Sequence, residues 1–271
     1  MYALDFEYAG QFLSDYGFII CDFNNPSGAD VVSAGSKITF NTVQRNNGKI
    51  YSLVDTKYNE CFQTSFSICK NPEENESLWI TNDEYRDLIR WLNRKEYLPM
   101  RIVPEEEDAD SATCYYDASF SISRIEINKR LCGLELVMET NRPFGYGLEE
   151  IATLSINDIN KEYLLVDISD EIGSISPDMV ITCNSPGDLC IHNSLTGSSM
   201  IITNCSLGEI VTVYGNEQII ESSDSMHKLY DCFNFEFLKI GNTYSCRENM
   251  ISASIPCSIE IRYRPIIKSA L

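Results

Sequence analysis

Hydrophobic and polar residues alternate most regularly near the end of the chain. Ile251, Ala253, Ile255, Cys257, Ile259, Ile261 and Tyr263 interleave with Ser252, Ser254, Pro256, Ser258, Glu260, Arg262 and Arg264. A period of two puts the apolar side chains on one face of a strand, and such a strand belongs in an antiparallel sheet with one packed face and one wet face. The pattern predicts a single strand over residues 251–264 and a β-sandwich that closes the chain. From about Glu149 onward the chain reads as short strands only. Turn formers punctuate it at Ser185, Pro186, Gly187 and Asp188, at Thr196 and Gly197, at Leu207 and Gly208, and at Gly241 and Asn242. Regular spacing of this kind marks a sandwich or barrel.

The first half differs by one helix. Thr81 and Glu84 are spaced as a capping box, with Ile80 and Tyr85 placed as its hydrophobic staple. Tyr85, Leu88, Ile89 and Leu92 follow at helical spacing and form one apolar stripe, and Pro99 ends any continuation. Around this helix, Phe62, Thr64, Phe66 and Ile68 alternate with polar residues, as do Leu134, Leu136 and Met138. The parity changes between Phe120/Ile122 and Ile125/Ile127, which predicts a bulge or bend. The first half is therefore α+β, mostly sheet with one helix packed on it. Asn141, Arg142, Pro143, Phe144, Gly145, Tyr146 and Gly147 mix turn formers with aromatics and mark the best boundary. Two domains are expected, residues 1–148 and 149–271. The fold class is mainly β with one helix.

Charge narrows the function. Among 271 residues, 40 acids face 21 bases, a formal net charge of −19. The excess runs through the whole chain, with 23 acids against 14 bases up to Leu148 and 17 against 7 beyond it. Such a surface disfavours nucleic-acid binding, which needs cations to replace counterions along the phosphates. Eleven cysteines contain no C-x-x-C pair, and several, Cys257 among them, fall on apolar strand positions where a thiol acts as a small hydrophobe. With acids interrupting the opening Met-Tyr-Ala-Leu segment, the chain reads as made in a reducing cytoplasm without a signal peptide. No apolar run reaches the roughly 20 residues of a membrane helix, so no membrane association is expected.

Candidate chemistry is sparse. The motifs of nucleophile elbows, phosphate-binding loops, dinucleotide sites and zinc proteases are absent. The two histidines are His192, read as a solvent-facing strand-end residue, and His227, read as a loop residue in a polar stretch. No cysteine pair has zinc-ligand spacing. The densest charge run is Glu105, Glu106, Glu107 and Asp108, followed by Asp110. Mutual repulsion makes it an exposed loop, since a calcium site would want alternating oxygen ligands and a glycine turn. Arg86, Arg90 and Arg94 line one helix face, where Asp83 and Asp87 can pair with them. No catalytic, cofactor-binding or metal residues are assigned, and the chain reads as no enzyme.

Three segments of the second half carry a family likeness: Ile191 to Gly197 (Ile-His-Asn-Ser-Leu-Thr-Gly), Gly208 to Val213, and Gly241-Asn242 leading to Ile259 through Pro265. In the first half it is carried by Phe62 through Lys70 followed by the helix from Asp83 to Leu92. In their order across both halves the chain resembles a phage distal tail protein. That resemblance implies an N-terminal sandwich-like ring domain and a C-terminal galectin-like antiparallel β-sandwich. It further implies a homohexameric ring at the virion tail tip, assembled in the host bacterial cytoplasm. The implied partners are the tail tube protein above, and the tail-tip hub (tail-associated) protein and receptor-binding or baseplate proteins below. DNA would pass through the ring without specific binding. Six copies would multiply the acidity sixfold, and a negative lumen keeps DNA from sticking; the Glu105 run is the candidate lumen or interface loop. The alternative is a carbohydrate-binding module of a phage or surface adhesin. It would stack sugars on Tyr214, Tyr230 or Tyr244, because Trp79 and Trp91 belong to helix packing.

Overall fold

The computed structural model describes residues 3–23, 37–45, 48, 50–58, 60–104, 113–243 and 245–268. The chain is mainly β, and the strands of its larger sheets pair antiparallel. It divides into two compact units, Met1–Gly147 with Ile267–Leu271, and Leu148–Ile266. Each has its own core.

In the first unit a seven-stranded sheet runs in the order Gln11–Phe12, Ala3–Tyr8, Leu98–Pro104, Tyr116–Ile127, Arg130–Thr140, Gln63–Lys70, Phe18–Cys21. One face buries Phe6, Tyr8, Ile68, Met100, Phe120, Leu134, Leu136 and Met138. The parity change lies where the ladder between the two longest strands slips, at Ile125/Glu126. The helix Asn82–Leu92 starts at the predicted capping box: Glu84 N–H donates to Thr81 Oγ1 at 3.3 Å, and Thr81 N–H donates to Glu84 Oε2 at 2.7 Å. Leu88 and Leu92 of the predicted stripe are fully buried, and so is most of Trp91. The Trp91 ring stacks on Phe6 and on Tyr16, and its N–H donates to the Tyr8 carbonyl at 3.0 Å. Lys70, buried in the sheet, reaches Glu84 at 2.6 Å and pins the helix start to the end of its strand.

The proposed boundary segment is packed rather than loose. Tyr146 pairs with Tyr115 through both backbone groups, and its hydroxyl donates to Asp117 at 2.7 Å. A Cβ on Gly145 would stand 2.9 Å from the Tyr115 carbonyl, so only glycine fits.

The second unit packs two sheets. Five strands run Glu150–Ile156, Cys257–Tyr263, Asp178–Cys183, Ile210–Tyr214, Ile219–Ser222; four run Tyr163–Val166, Glu248–Ala253, Gly187–Asn193, Ser199–Cys205. Their inner faces meet in one core that includes Leu154, Ile181, Ile191, Ile202, Val211 and Ile259. The strand predicted over residues 251–264 is two strands. Glu248–Ala253 lies in the four-stranded sheet and Cys257–Tyr263 in the five-stranded one, with the break at Ser254, Ile255 and Pro256. Pro256 has no N–H for a ladder, and because both sheets face one core, the inward parity continues across the corner. Gly241 and Asn242 also differ from expectation. They form part of the buried strand Ile240–Asn242, where a Cβ on Gly241 would come 2.6 Å from Thr196 Cγ2. All eleven cysteines are free, and Cys183 and Cys257 face each other across the ladder as buried apolar residues.

Candidate functional site

Two surfaces combine exposure with features that folding alone does not account for. The first is a two-stranded ribbon in the first unit, Ile38–Arg45 paired with Ile50–Tyr58, which joins no other sheet among the described residues. Ile38, Phe40, Thr42 and Gln44 alternate onto one face. The register slips between Asn41 and Thr42, so that Leu53 stands opposite Thr42 and Tyr51 opposite Gln44. That bulge carries Tyr51 and Leu53 to the same face as Phe40 and Tyr58. The result is an apolar face with Phe40 62% and Leu53 58% exposed. At its base Tyr58 meets the Phe144 ring edge-on, and the Lys268 ammonium lies 4.8 Å from the same ring. An isolated two-stranded ribbon is marginal in water, and its open edges invite further pairing.

The second surface lies in the second unit, between the strand Ser199–Cys205 and the loop before the short helix Leu229–Cys232. Glu209 and His227 form a buried ion pair at 2.6 Å, with side-chain exposures of 0% and 6%. His227 Nδ1–H donates to Glu209 Oε1, and Nε2–H donates to the Thr203 carbonyl at 2.9 Å. A carboxylate and a carbonyl can only accept, so both ring nitrogens carry protons and the ring is an imidazolium. Burial pulls the His227 pKa down, but hydrogen bonds to Glu209 and Cys232, the Glu209 charge and the Thr203 carbonyl outweigh it and raise the value to about 9. For Glu209, burial acts upward and is outweighed by hydrogen bonds from Ser222, the Ser206 N–H and His227, which hold the carboxyl below its usual range. Ser222 Oγ–H donates to Glu209 Oε1 at 2.6 Å, and the Ser206 N–H donates to Oε2 at 2.7 Å. The pair therefore ties three segments together.

Over this clamp opens a shallow cleft of about 360 Å³ whose lining includes Asn204, Asp224, Met226, His227, Lys228 and Asp231. Met226 in its lining is 84% exposed, and Tyr230 on the short helix is 81% exposed. The Tyr230 ring meets Phe235 at 5.7 Å, and Phe235 meets the buried Phe233 at 5.5 Å.

The sequence-predicted residues are distributed as follows. Glu105, Glu106, Glu107, Asp108 and Asp110 lie outside the described residues, as does Tyr244. His192 pairs with Ser199 Oγ at 2.9 Å across neighbouring strands. His227 is a loop residue by backbone, but its side chain is the buried half of an ion pair rather than a solvated group. Nothing in its neighbourhood along the chain announces this, because its partner Glu209 is 18 residues away. On the helix, Arg90 pairs with Asp87 at 3.0 Å, and Arg94 donates to the Trp91 carbonyl at 3.2 Å. Trp79 lies under the Arg130 guanidinium at 4.2 Å, as packing. Among the described residues, no helix is long and apolar enough to cross a membrane.

Residues 1–142 match a family model described as a phage tail protein N-terminal domain, and residues 144–263 match one described as a phage tail C-terminal domain. The chain belongs to this phage tail protein family. As a tail protein it is a component of the virion tail. Its fold is similar to that of the Dit protein of SPP1, whose crystal structure is described as a paradigm of the hub adsorption apparatus in phages infecting Gram-positive bacteria. That likeness has a TM-score of 0.67 at 12% identity and covers 97% of this chain and 99% of the other. At such low identity it is a likeness of fold, and it spans both units of the tail protein. No curated protein matches the chain.

Proposed function

We propose that this tail protein is a distal tail protein. It forms a hexameric ring at the tail tip that joins the tail tube to the hub and receptor-binding proteins, and its lumen passes DNA. The observation that carries the reading is the end-to-end fold likeness to SPP1 Dit in a chain of the phage tail family. The first unit forms the ring and the second is its galectin-like outer module. The apolar ribbon Ile38–Arg45/Ile50–Tyr58 is the contact to the neighbouring copy: it has an apolar face and open edges, and another subunit of the ring can cover both. The net charge of −19 per chain suits a lumen that must release DNA. No catalytic step belongs to this function. His192 is engaged with Ser199, and His227 is held on both ring nitrogens as a structural cation.

Native mass spectrometry of the full chain, alone and mixed with its tail tube protein, tests the proposal. A species of six times the 30.8 kDa protomer mass is expected, with a six-fold ring in negative-stain images. A chain that remains monomeric in both samples, or a ring of another order, would overturn it.

A further inference from the structure

Three of the free cysteines meet in the core of the second unit. Cys183, Cys205 and Cys257 are 0%, 3% and 0% exposed and belong to one buried cluster. A backbone irregularity puts the middle one there. Along Ser199–Cys205 the inward residues are Met200 and Ile202, so strict alternation would turn Asn204 into the core and Cys205 out of it. Instead Gly187 pairs with Cys205 and Leu189 with Ile202, so that Thr203 and Asn204 together face Asp188 alone. The bulge is held by Asn204, whose φ is 62° and whose N–H donates to Asp188 Oδ1 at 2.9 Å. The extra residue leaves Asn204 exposed and aims the Cys205 thiol inward.

The residues after Cys205 carry the chain from one sheet to the other. They turn with the Glu209 N–H donating to the Ser206 carbonyl at 3.2 Å. Within that turn the Gly208 N–H donates to the Cys183 carbonyl at 2.7 Å, and the Cys183 N–H donates to the Glu209 carbonyl at 2.9 Å. Cys183 therefore stands at the corner where the sheets converge, and its thiol is hydrogen-bonded to that of Cys205. Because both backbone groups of Cys183 point toward the turn, its pairing with Cys257 is a non-hydrogen-bonded one, with Cα atoms about 4.5 Å apart. Those two side chains leave one sheet side by side, whereas Cys183 and Cys205 approach from facing sheets, as a disulfide requires. We infer that Cys183 and Cys205 are a latent disulfide, which staples the two sheets of the second unit when a peroxide reaches them. A reducing cell keeps both as thiols, but a virion tail also meets surroundings without a thiol pool.

The hydrogen bond from Cys205 holds the Cys183 thiol below its ordinary range against the opposing effect of burial, while the same bond and burial push Cys205 up. Cys183 is thus the sulfur that attacks. It bonds one peroxide oxygen as the O–O bond breaks, and the other oxygen leaves as water with the Cys183 proton. Cys205 Sγ then attacks the Cys183 sulfenic acid; the S–S bond forms, the S–O bond breaks, and the Cys205 proton leaves in a second water. Two thiols lose two electrons, and one peroxide is reduced to two waters. An oxidant of that small size enters by local opening at the corner. The staple lies within one unit and rests on no part of the ring proposal.

The test exposes the full chain, purified under reductant and then freed of it, to hydrogen peroxide. Unreacted thiols are blocked with iodoacetamide in denaturant, and the peptides are mapped by mass spectrometry. The expected product is a Cys183–Cys205 linked peptide, two hydrogens lighter than the two thiol peptides together and separated again by dithiothreitol. The melting temperature of the oxidised chain should rise by roughly 5 °C or more, because the bond closes a loop around Gly187–Asn193 and Ser199–Cys205. Cys183→Ala and Cys205→Ala should each lose both effects, and Cys257→Ala should keep them. Each variant is compared with itself before and after peroxide, so lost packing does not pass for a lost bond. The wild-type map decides the case even where a variant fails to fold. Four results would each overturn the proposal: both thiols still open to iodoacetamide, sulfinic acid in place of the bond, a bond from Cys183 to Cys257, or a Cys183–Cys205 bond that leaves the melting temperature unchanged.

Discussion

His227 shows how one residue can depend on contacts that lie far away in sequence. Its folded pKa of about 9 stands above the ordinary 6.5. The stabilisation it contributes is therefore fully present below pH 6.5 and is lost as pH rises through about 9. Glu209 acts in the opposite direction, because its lowered pKa contributes stability above the ordinary carboxyl range and loses it in acid. The wild-type second unit should lose at most about 3 kcal/mol of stability between pH 6.5 and pH 10. In His227→Gln denaturant melts should show a flatter pH profile over that range, and an equally steep profile would remove the histidine from the account. Removing only the acid, in Glu209→Leu, leaves a buried imidazolium and should cost about 3–5 kcal/mol by urea unfolding. Trp91 is the opposite kind of residue. Its burial follows from the apolar surroundings of the helix, but its two ring stacks and its bond to the Tyr8 carbonyl come from strands elsewhere in the first unit.

At the scale of elements, the helix Asn82–Leu92 is legible because capping and apolar periodicity are local properties. Thr81→Ala should lower thermal stability by about 1 kcal/mol, the ordinary worth of an N-cap. Because Glu84 also holds Lys70, Glu84→Ala should cost more than Thr81→Ala, and equal losses would mean that the 2.6 Å ion pair contributes nothing. The ribbon Ile38–Arg45/Ile50–Tyr58 is not legible in the same way. Its residues alternate only if the slip at Asn41/Thr42 is known, since that slip moves Tyr51 and Leu53 to the face of Phe40. Introducing charge there, in a chain with both Phe40→Glu and Leu53→Glu, should abolish the proposed hexamer in native mass spectrometry and leave the melting temperature unchanged. A surviving ring would show that the ribbon lies outside the subunit contact. The last alternating stretch carries the complementary lesson. Its parity was readable from residue 251 to 263, but the change of sheet at Pro256 was not, because parity reports only inward and outward.

At the scale of the molecule, each unit closes its own core. The residues buried together in the second unit run from Leu154 to Tyr263 without help from the first. Residues 148–266 expressed alone should therefore fold, with a cooperative thermal transition and dispersed amide resonances. A molten spectrum would mean that the cores are not independent. The same separation lets the surface of one unit change without disturbing the core of the other.

What the sequence by itself determined is what local physics encodes: the β-rich class, the single long helix and its cap, the inward parity of the strands, the acidity, and the absence of familiar catalytic motifs. These depend on neighbours one to four residues apart, so they can be read in order along the chain. Only the tertiary structure decided that His227 is a buried cation, that the chain changes sheets at Pro256, and that Phe40 and Leu53 share a face. Each of these depends on groups brought together from distant positions or on a single-residue slip in register, and neither leaves a periodic trace in the chain.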